Sequence, residues 1–191
     1  MTEPDIYIMA NKVILGIDPG TQILGFGVVE ATPLSPKYVA MGVVDLRKEK
    51  DHFAKIRKIF IEVTELIEHY KPDELAVEAP FYGKNIQSML KLGRAQGSAI
   101  AAALNRNMPV FEYAPRKIKL SITGKGAASK EQVAALLTNI LKTKDIPDYL
   151  DATDGLAVAL CHYYESERTV KSSTGGKGWE AFVKAHPERI K

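Results

Sequence analysis

Residues 13–30 read V-I-L-G-I-D-P-G-T-Q-I-L-G-F-G-V-V-E, and no other stretch constrains the chain as much. Val13 to Ile17 is apolar and rich in β-branched residues, as a buried strand requires. Pro19-Gly20 is turn chemistry, and Ile23 to Glu30 reads as a second, glycine-rich strand. The pattern predicts a hairpin with Asp18 at its corner. A carboxylate directly after a buried run either caps the turn, as aspartate commonly does, or needs a cation, because a lone buried carboxylate loses its hydration at high cost. The hairpin alone leaves both readings open.

Further along, Lys37 to Leu46 follows the Pro33 to Pro36 turn as a third strand, and three strands joined by short turns make an antiparallel meander. From Asp51 to Tyr70, Ile56, Ile59, Phe60, Val63, Leu66, Ile67 and Tyr70 share one helical face, and Pro72 stops the helix. Glu74 to Glu78 is a short strand reached through that helix, hence expected parallel in the same sheet. Asn85 to Asn105 reads as a second long helix. Its Gly93, Gly97 and Ala101 form a small-residue stripe that predicts close approach of another backbone, either the sheet of the same subunit or a second copy of the helix. Val110 to Tyr113 is the last strand. Ser129 and Gln132 form a capping-box pattern ahead of a helix with Val133, Leu136, Leu137, Ile140 and Leu141 inward. Pro147-Asp148 opens a final helix expected to end near Glu165.

The order is therefore β β β α β α β α α. It predicts an α/β layered domain around a mixed five-stranded sheet, three antiparallel strands first and parallel strands after them, flanked by helices. With 191 residues, 46% of them hydrophobic, one core and a single domain are expected. Residues 1–12 read as an N-terminal extension, 13–167 as the domain, and 168–191 as a basic tail whose S-S-T-G-G-K-G composition is flexible.

The single cysteine, Cys161, excludes an internal disulfide, and a start containing Glu3 and Asp5 does not resemble a secretory leader. A reducing, cytoplasmic location is expected. No apolar run approaches the roughly 20 residues that cross a bilayer. Net charge is only +3, but its distribution is uneven. Between Lys84 and Lys130 stand nine Lys/Arg against one acid, Glu112, so this segment carries +8 and the rest of the chain −5. Such asymmetry suggests a polyanion-facing surface, although long basic side chains also simply solvate helix faces.

Four acids stand where acids are unexpected: Asp18 and Glu78 at the ends of apolar strands, and Asp151 and Asp154 in D-A-T-D on the last helix. Positions three apart share a helix face. If the first and fourth strands are neighbours, Asp18 and Glu78 come side by side, and a helix packed there brings the aspartates to them. Each acid also has a structural reading. Asp148 is suited to an N-cap, Asp151 is favoured by the helix dipole, and Glu78 could simply end its strand. Together, four carboxylates repel one another unless cations neutralise them. A set of oxygen ligands without a His or Cys cluster suits Mg²⁺, with Mn²⁺ as a substitute. Two such ions about 4 Å apart can activate water and stabilise the leaving oxygen in phosphodiester hydrolysis.

Five motifs in order carry a resemblance. They are I-L-G-I-D-P-G-T at residues 14–21, L-A-V-E-A-P-F at 75–81, K-N-I-Q-S-M-L-K-L-G-R-A-Q-G at 84–97, F-E-Y-A-P-R-K-I-K at 111–119 and D-A-T-D-G-L-A at 151–157. The chain resembles the RuvC family of bacterial Holliday junction endonucleases from about Val13 to Glu165. The resemblance implies an RNase H-like fold and a homodimer with two active sites. It implies Mg²⁺-dependent paired nicks that resolve four-way DNA junctions in recombination and repair, beside a branch-migration motor of RuvA and RuvB. By position, Asp18, Glu78, Asp151 and Asp154 fall on the family's catalytic, metal-holding acids, and Phe81 on its aromatic near the junction centre. Lys119 and Lys130 fall on its functional lysines, and Lys84 and Arg116 join them as expected DNA contacts. Lys130 has separate support. A lysine in the first turn of a helix opposes the dipole, yet with free backbone N–H groups it makes a good phosphate site.

Other readings differ in class. G-I-D-P-G-T also resembles the first phosphate loop of the sugar kinase, actin and Hsp70 class, which needs two lobes and a second such motif. A non-catalytic junction-binding module would use the basic segment alone. A YqgF-type relative would keep the fold and cut another nucleic acid.

Overall fold

The computed structural model describes residues 11–81, 85–143 and 150–174. Lys84 and the Pro147-Asp148 opening of the last helix lie outside the described residues.

Strands β1 (Lys12–Asp18), β2 (Ile23–Ala31) and β3 (Pro36–Asp45) form the antiparallel meander, and β4 (Glu74–Glu78) and β5 (Val110–Tyr113) complete a five-stranded sheet in the order β3-β2-β1-β4-β5. β4 runs parallel to β1, and β5 parallel to β4. The strand order places the C-terminal ends of β1 and β4 side by side at one end of the sheet. β1 starts at Lys12, which pairs with Ala31 of β2 and whose side chain forms an ion pair with Glu74 at 2.6 Å.

Alternation along the strands builds two cores. Leu15, Ile17, Leu24, Val28, Leu75 and Val77 face α1 (His52–Tyr70) and α2 (Ile86–Leu104), meeting Ile59, Val63, Ala95 and Ala99. Ile14, Val29 and Ala76 face the opposite way, toward α3 (Pro115–Thr123), α4 (Lys130–Leu141) and α5 (Leu150–Thr174), meeting Ile118, Val133, Leu137, Leu156 and Leu160.

Three features differ from the sequence expectation. α3 is an additional helix. Pro115 opens it, where the missing N–H costs nothing, Ile118 and Ile122 bury one face, and Gly124 ends it at φ +71°. α5 runs to Thr174, past Glu165 and through Arg168, where composition alone starts a tail. Finally, the glycines that admit a close backbone are not those of α2. Gly93 and Gly97 have nothing within 4 Å of a Cβ position, so they do not pack on the sheet of their own subunit. The close approach belongs to α5, which lies on a floor of Gly16, Gly25 and Gly27. A Cβ on Gly25 would fall 2.1 Å from the Asp151 carbonyl oxygen, and one on Gly27 2.3 Å from Leu156 Cα.

Candidate active site

The acids come together through three separate pieces of local structure. Ile17 pairs with Val77 across the parallel β1–β4 ladder, so Asp18 and Glu78 are the next residues on adjacent strands and project to the α5 side. α5 begins over the same strand ends, because the glycine floor lets its backbone touch the sheet. Asp151 and Asp154 occupy its first turns, one turn apart. α4 supplies the cation. Its capping box is fully formed, with Ser129 Oγ accepting from Gln132 N at 3.3 Å and Gln132 Oε1 accepting from Ser129 N at 3.0 Å. The box fixes Lys130 in the first turn, from which Nζ donates to Asp154 and lies 3.4 Å from Asp151 Oδ1.

Asp18, Glu78, Asp154, Lys119 and Lys130 line one cavity of about 170 Å³ whose remaining walls are Pro115, Ile118, Val133 and Ala157. Asp151 is more exposed and stands at the rim through its pairing with Lys130. Phe81, just beyond β4, is 69% exposed. Arg116 is exposed on α3. Lys117 beside it points elsewhere, donating to Glu165 at 2.7 Å and tying α3 to α5.

Electrostatics mark this cavity as short of positive charge. Burial, and then the charge of Asp154, raise the Asp18 carboxyl to about 7, against the opposing pull of Lys130. Burial, with Asp18 and Asp154 adding to it, raises Glu78 to about 8, although Lys130 and Lys119 oppose the shift. Asp154 is raised by burial despite its hydrogen bond from Lys130. For Lys130 itself, burial is outweighed by Asp154 and Asp151, which hold its ammonium charged above the ordinary value. Lys119 and Lys130 do not offset the burial and mutual repulsion of these carboxylates, and clustered groups of this kind are common at functional sites.

Among the described residues, no three His, Cys, Asp or Glu side chains stand close enough together to hold a metal ion. The donor chemistry nevertheless fits a hard divalent cation. All candidates are carboxylates, two are driven toward protonation by burial and mutual repulsion, and the partner of Asp154 is an ammonium on a flexible stem.

The family model for the crossover junction endodeoxyribonuclease RuvC matches residues 14–162, which include all four acids. The chain belongs to the RuvC family. It is 56% identical over 188 residues to the RuvC of Bacteroides fragilis, covering 97% of this chain and all of the relative. With the RuvC of Cytophaga hutchinsonii it shares 53% identity, over 95% of this chain and 89% of the other. Thermus thermophilus RuvC, solved in complex with a Holliday junction substrate, superimposes at a TM-score of 0.76 with 31% identity, covering 83% of this chain and 96% of that one. The RNase H-like fold expected from the five motifs is therefore the observed one.

Of the residues expected from the sequence, the structure brings Asp18, Glu78, Asp154, Lys119 and Lys130 onto one cavity and Asp151 to Lys130, whereas Phe81 and Arg116 are exposed and do not line it. Sequence reasoning missed the apolar walls Pro115, Ile118 and Val133, and the glycine floor under α5. A signal for the floor was present, since Gly25 and Gly27 are two apart in β2 and must share a face. Lys84 lies outside the described residues.

Proposed function

We propose that this chain is a structure-specific endonuclease that resolves four-way (Holliday) DNA junctions by paired symmetric nicks, acting as a cytoplasmic homodimer in recombination and repair. One observation carries the reading: Asp18 and Glu78 end neighbouring parallel strands, with Asp154 above them and Lys119 and Lys130 on the same cavity. A phosphodiester is the substrate class that matches buried carboxylates flanked by lysines, since the lysines meet the phosphate while the acids require cations.

Asp18, Glu78, Asp151 and Asp154 would hold two Mg²⁺ ions, with Mn²⁺ able to substitute. When bound, these ions supply activated water and stabilisation of the leaving oxygen. The chain's own residues orient and neutralise. Asp18 and Glu78 are held by the strand register, whereas Asp151 and Asp154 move only with α5. Lys130 neutralises the aspartate pair and is positioned to exchange that contact for a substrate phosphate. Lys119, Arg116 and Lys84 contact the backbone, and Phe81, exposed beside β4, stacks on an unpaired base.

The dimer is proposed to form through α2. Ile86 (56% exposed), Leu90 (46%) and Leu104 (58%) accompany Gly93 and Gly97 on an outward face. A second copy of the helix fits this face, with the glycines allowing close contact. Residues 13–167 are proposed as the nuclease unit, and RuvA and RuvB as its motor partners. No helix among the described residues is long and apolar enough to cross a membrane.

The test is cleavage of an end-labelled synthetic four-way junction and a matched linear duplex, in Mg²⁺ and in EDTA, beside Asp18→Asn. Symmetric, ligatable, Mg²⁺-dependent nicks on the junction alone are expected, with none from the variant. Tight binding without nicks would instead indicate a binding module, and cutting of linear or single-stranded substrates a different nuclease.

A further inference from the structure

The basic residues divide between the two faces of the sheet. Arg116, Lys119 and Lys130 belong to α3 and α4, on the side toward which the acids project. A second group stands across the sheet end, between the first turns of α1 and α2, which both start at the end that carries Asp18 and Glu78. Ser98 Oγ donates to the Ile56 carbonyl at 2.8 Å and so fixes the two helices in register. One turn back from these residues stand His52 on α1 and Arg94 on α2, followed by Lys91.

Lys55 joins this group to the active-site turn. Its Nζ donates to the Thr21 carbonyl at 2.8 Å and to Gln22 Oε1 at 3.2 Å, three and four residues beyond Asp18. Among the described residues, Lys91 and Arg94 have no acidic partner, and the buried Nε2 of His52 has no hydrogen-bond partner. Burial, and then the charges of Arg94, Lys91 and Lys55, hold the His52 imidazole below its ordinary value against the opposing charge of Asp51. Three cations thus stand near enough to the ring to oppose its protonation. Phe53 follows on the rim, 76% exposed, its ring centroid 6.4 Å from that of His52.

We infer that the α1–α2 cleft of His52, Lys91 and Arg94, rimmed by Phe53, is a second DNA-backbone site that holds the strand leaving the active site across the end of the sheet. The inference rests on the nucleic-acid reading above. Charge complementarity selects a polyanion, and the bond from Lys55 to the turn after Asp18 makes the cleft continuous with the site where the phosphodiester is cut. A straight duplex seated on α3 and α4 has its backbone on one side of the sheet end. A branched substrate sends a strand to each side, so the cleft favours branched over linear DNA.

The experiment measures binding of a four-way junction and a matched linear duplex in EDTA, from 50 to 200 mM salt, with the wild-type protein and with Lys91→Ala/Arg94→Ala. Both positions are exposed, and Lys91→Gln/Arg94→Gln provides an independent pair that keeps side-chain length. Loss of two phosphate contacts lowers the salt slope by about 1.8, so the variant's junction affinity changes about twelve-fold less than wild type's over that four-fold salt range. The linear duplex is expected to lose less affinity than the junction, and Phe53→Ala to weaken the junction without altering the slope. An unchanged slope in both double variants, with wild type binding normally, would overturn the second site and leave the cleft to an acidic protein partner. Failure of wild type itself to bind the junction would overturn the underlying nucleic-acid reading, and this site with it.

Discussion

Gly16 of β1 lies directly beneath Gly155 of α5, so closely that a Cβ on Gly16 would fall 2.3 Å from the Gly155 carbonyl oxygen and 2.4 Å from the Ala159 nitrogen. Both obstructions are backbone and cannot swing aside. Gly155 is itself pressed onto β2, where its own Cβ would meet Phe26 Cα at 2.5 Å. This double contact sets the height of α5 above the sheet, and with it the height of Asp151 and Asp154 above Asp18 and Glu78.

Gly16→Ala is therefore expected to damage both stability and activity, because the backbone of α5 must move to admit the methyl group. Overpacking of this kind costs about 1–3 kcal/mol, which denaturant unfolding would measure. A shift of about 1 Å in a catalytic group can cost about 100-fold in rate, so nicking of a four-way junction should fall by that order while most of the protein remains folded. Wild-type nicking by the folded variant would show that the height of α5 above the sheet does not govern the reaction.

Lys119→Ala is expected to weaken junction binding and reduce its salt slope by about 0.9, the value for one lost phosphate contact on duplex DNA. Titrations at several salt concentrations in EDTA would read it. Lys117→Ala is the control, because Lys117 is already paired with Glu165 and points away from the cavity.

The α2 face predicts the oligomeric state. Leu90→Glu places a charge among Ile86, Gly93 and Gly97, where a second helix would have to exclude water. Sedimentation velocity should show wild type as a dimer and the variant as a monomer. A wild-type monomer at micromolar concentration would remove the dimer from the proposal.

A buried chain of polar groups on the α5 side gives a pH dependence. His162, 3% exposed, accepts or donates at both ring nitrogens, 2.6 Å from the Tyr113 hydroxyl and 2.9 Å from Glu74 Oε2, and stacks on Phe111. Burial lowers its pKa below 6.5, only partly offset by Glu74. Below pH 6.5 the unfolded chain takes up a proton that the folded chain resists, so stability falls as pH drops from 7 toward 5. Glu74 acts in a lower window. Burial would raise its carboxyl, but the bonds from Lys12 and His162 prevail and lower it, so its contribution is present above 4.5 and lost as pH falls through the depressed folded value. His162→Asn should cost about 1–3 kcal/mol at pH 8 through unmatched buried groups, and its stability should fall less steeply between pH 7 and 5. Parallel urea-denaturation curves across that range for both proteins would contradict the assignment.

The legible part of this protein is what short-range pattern encodes. Two apolar runs around Pro19-Gly20 define a hairpin in Val13–Glu30, a four-and-three spacing defines α1, and Ser129 with Gln132 defines the start of α4, because each depends on residues only a few positions apart. Asp18 and Glu78 were legible as unusual for the same reason, since a carboxylate at the end of an apolar strand is conspicuous wherever the strand goes. What was not legible depends on which surfaces meet. α3 was hidden because Pro115 and three basic residues obscure the Ile118–Ile122 face, and that face becomes meaningful only with α4 and α5 beside it. The glycines of α2 left open a contact with the sheet or with a second copy of the helix, and the sheet took Gly16, Gly25 and Gly27 instead.

The sequence by itself therefore determined the five strands, the helices other than α3, their order, and the unusual placement of Asp18 and Glu78 at strand ends. Only the tertiary structure decided that α5 would sit in backbone contact with β1 and β2, that Lys130 would bridge Asp151 and Asp154, and that the basic residues would divide between two faces of the sheet. The physical reason is range. Propensity and periodicity act over one or two turns, whereas steric contact between α5 and its glycine floor joins residues more than a hundred positions apart and becomes defined only when both cores are packed.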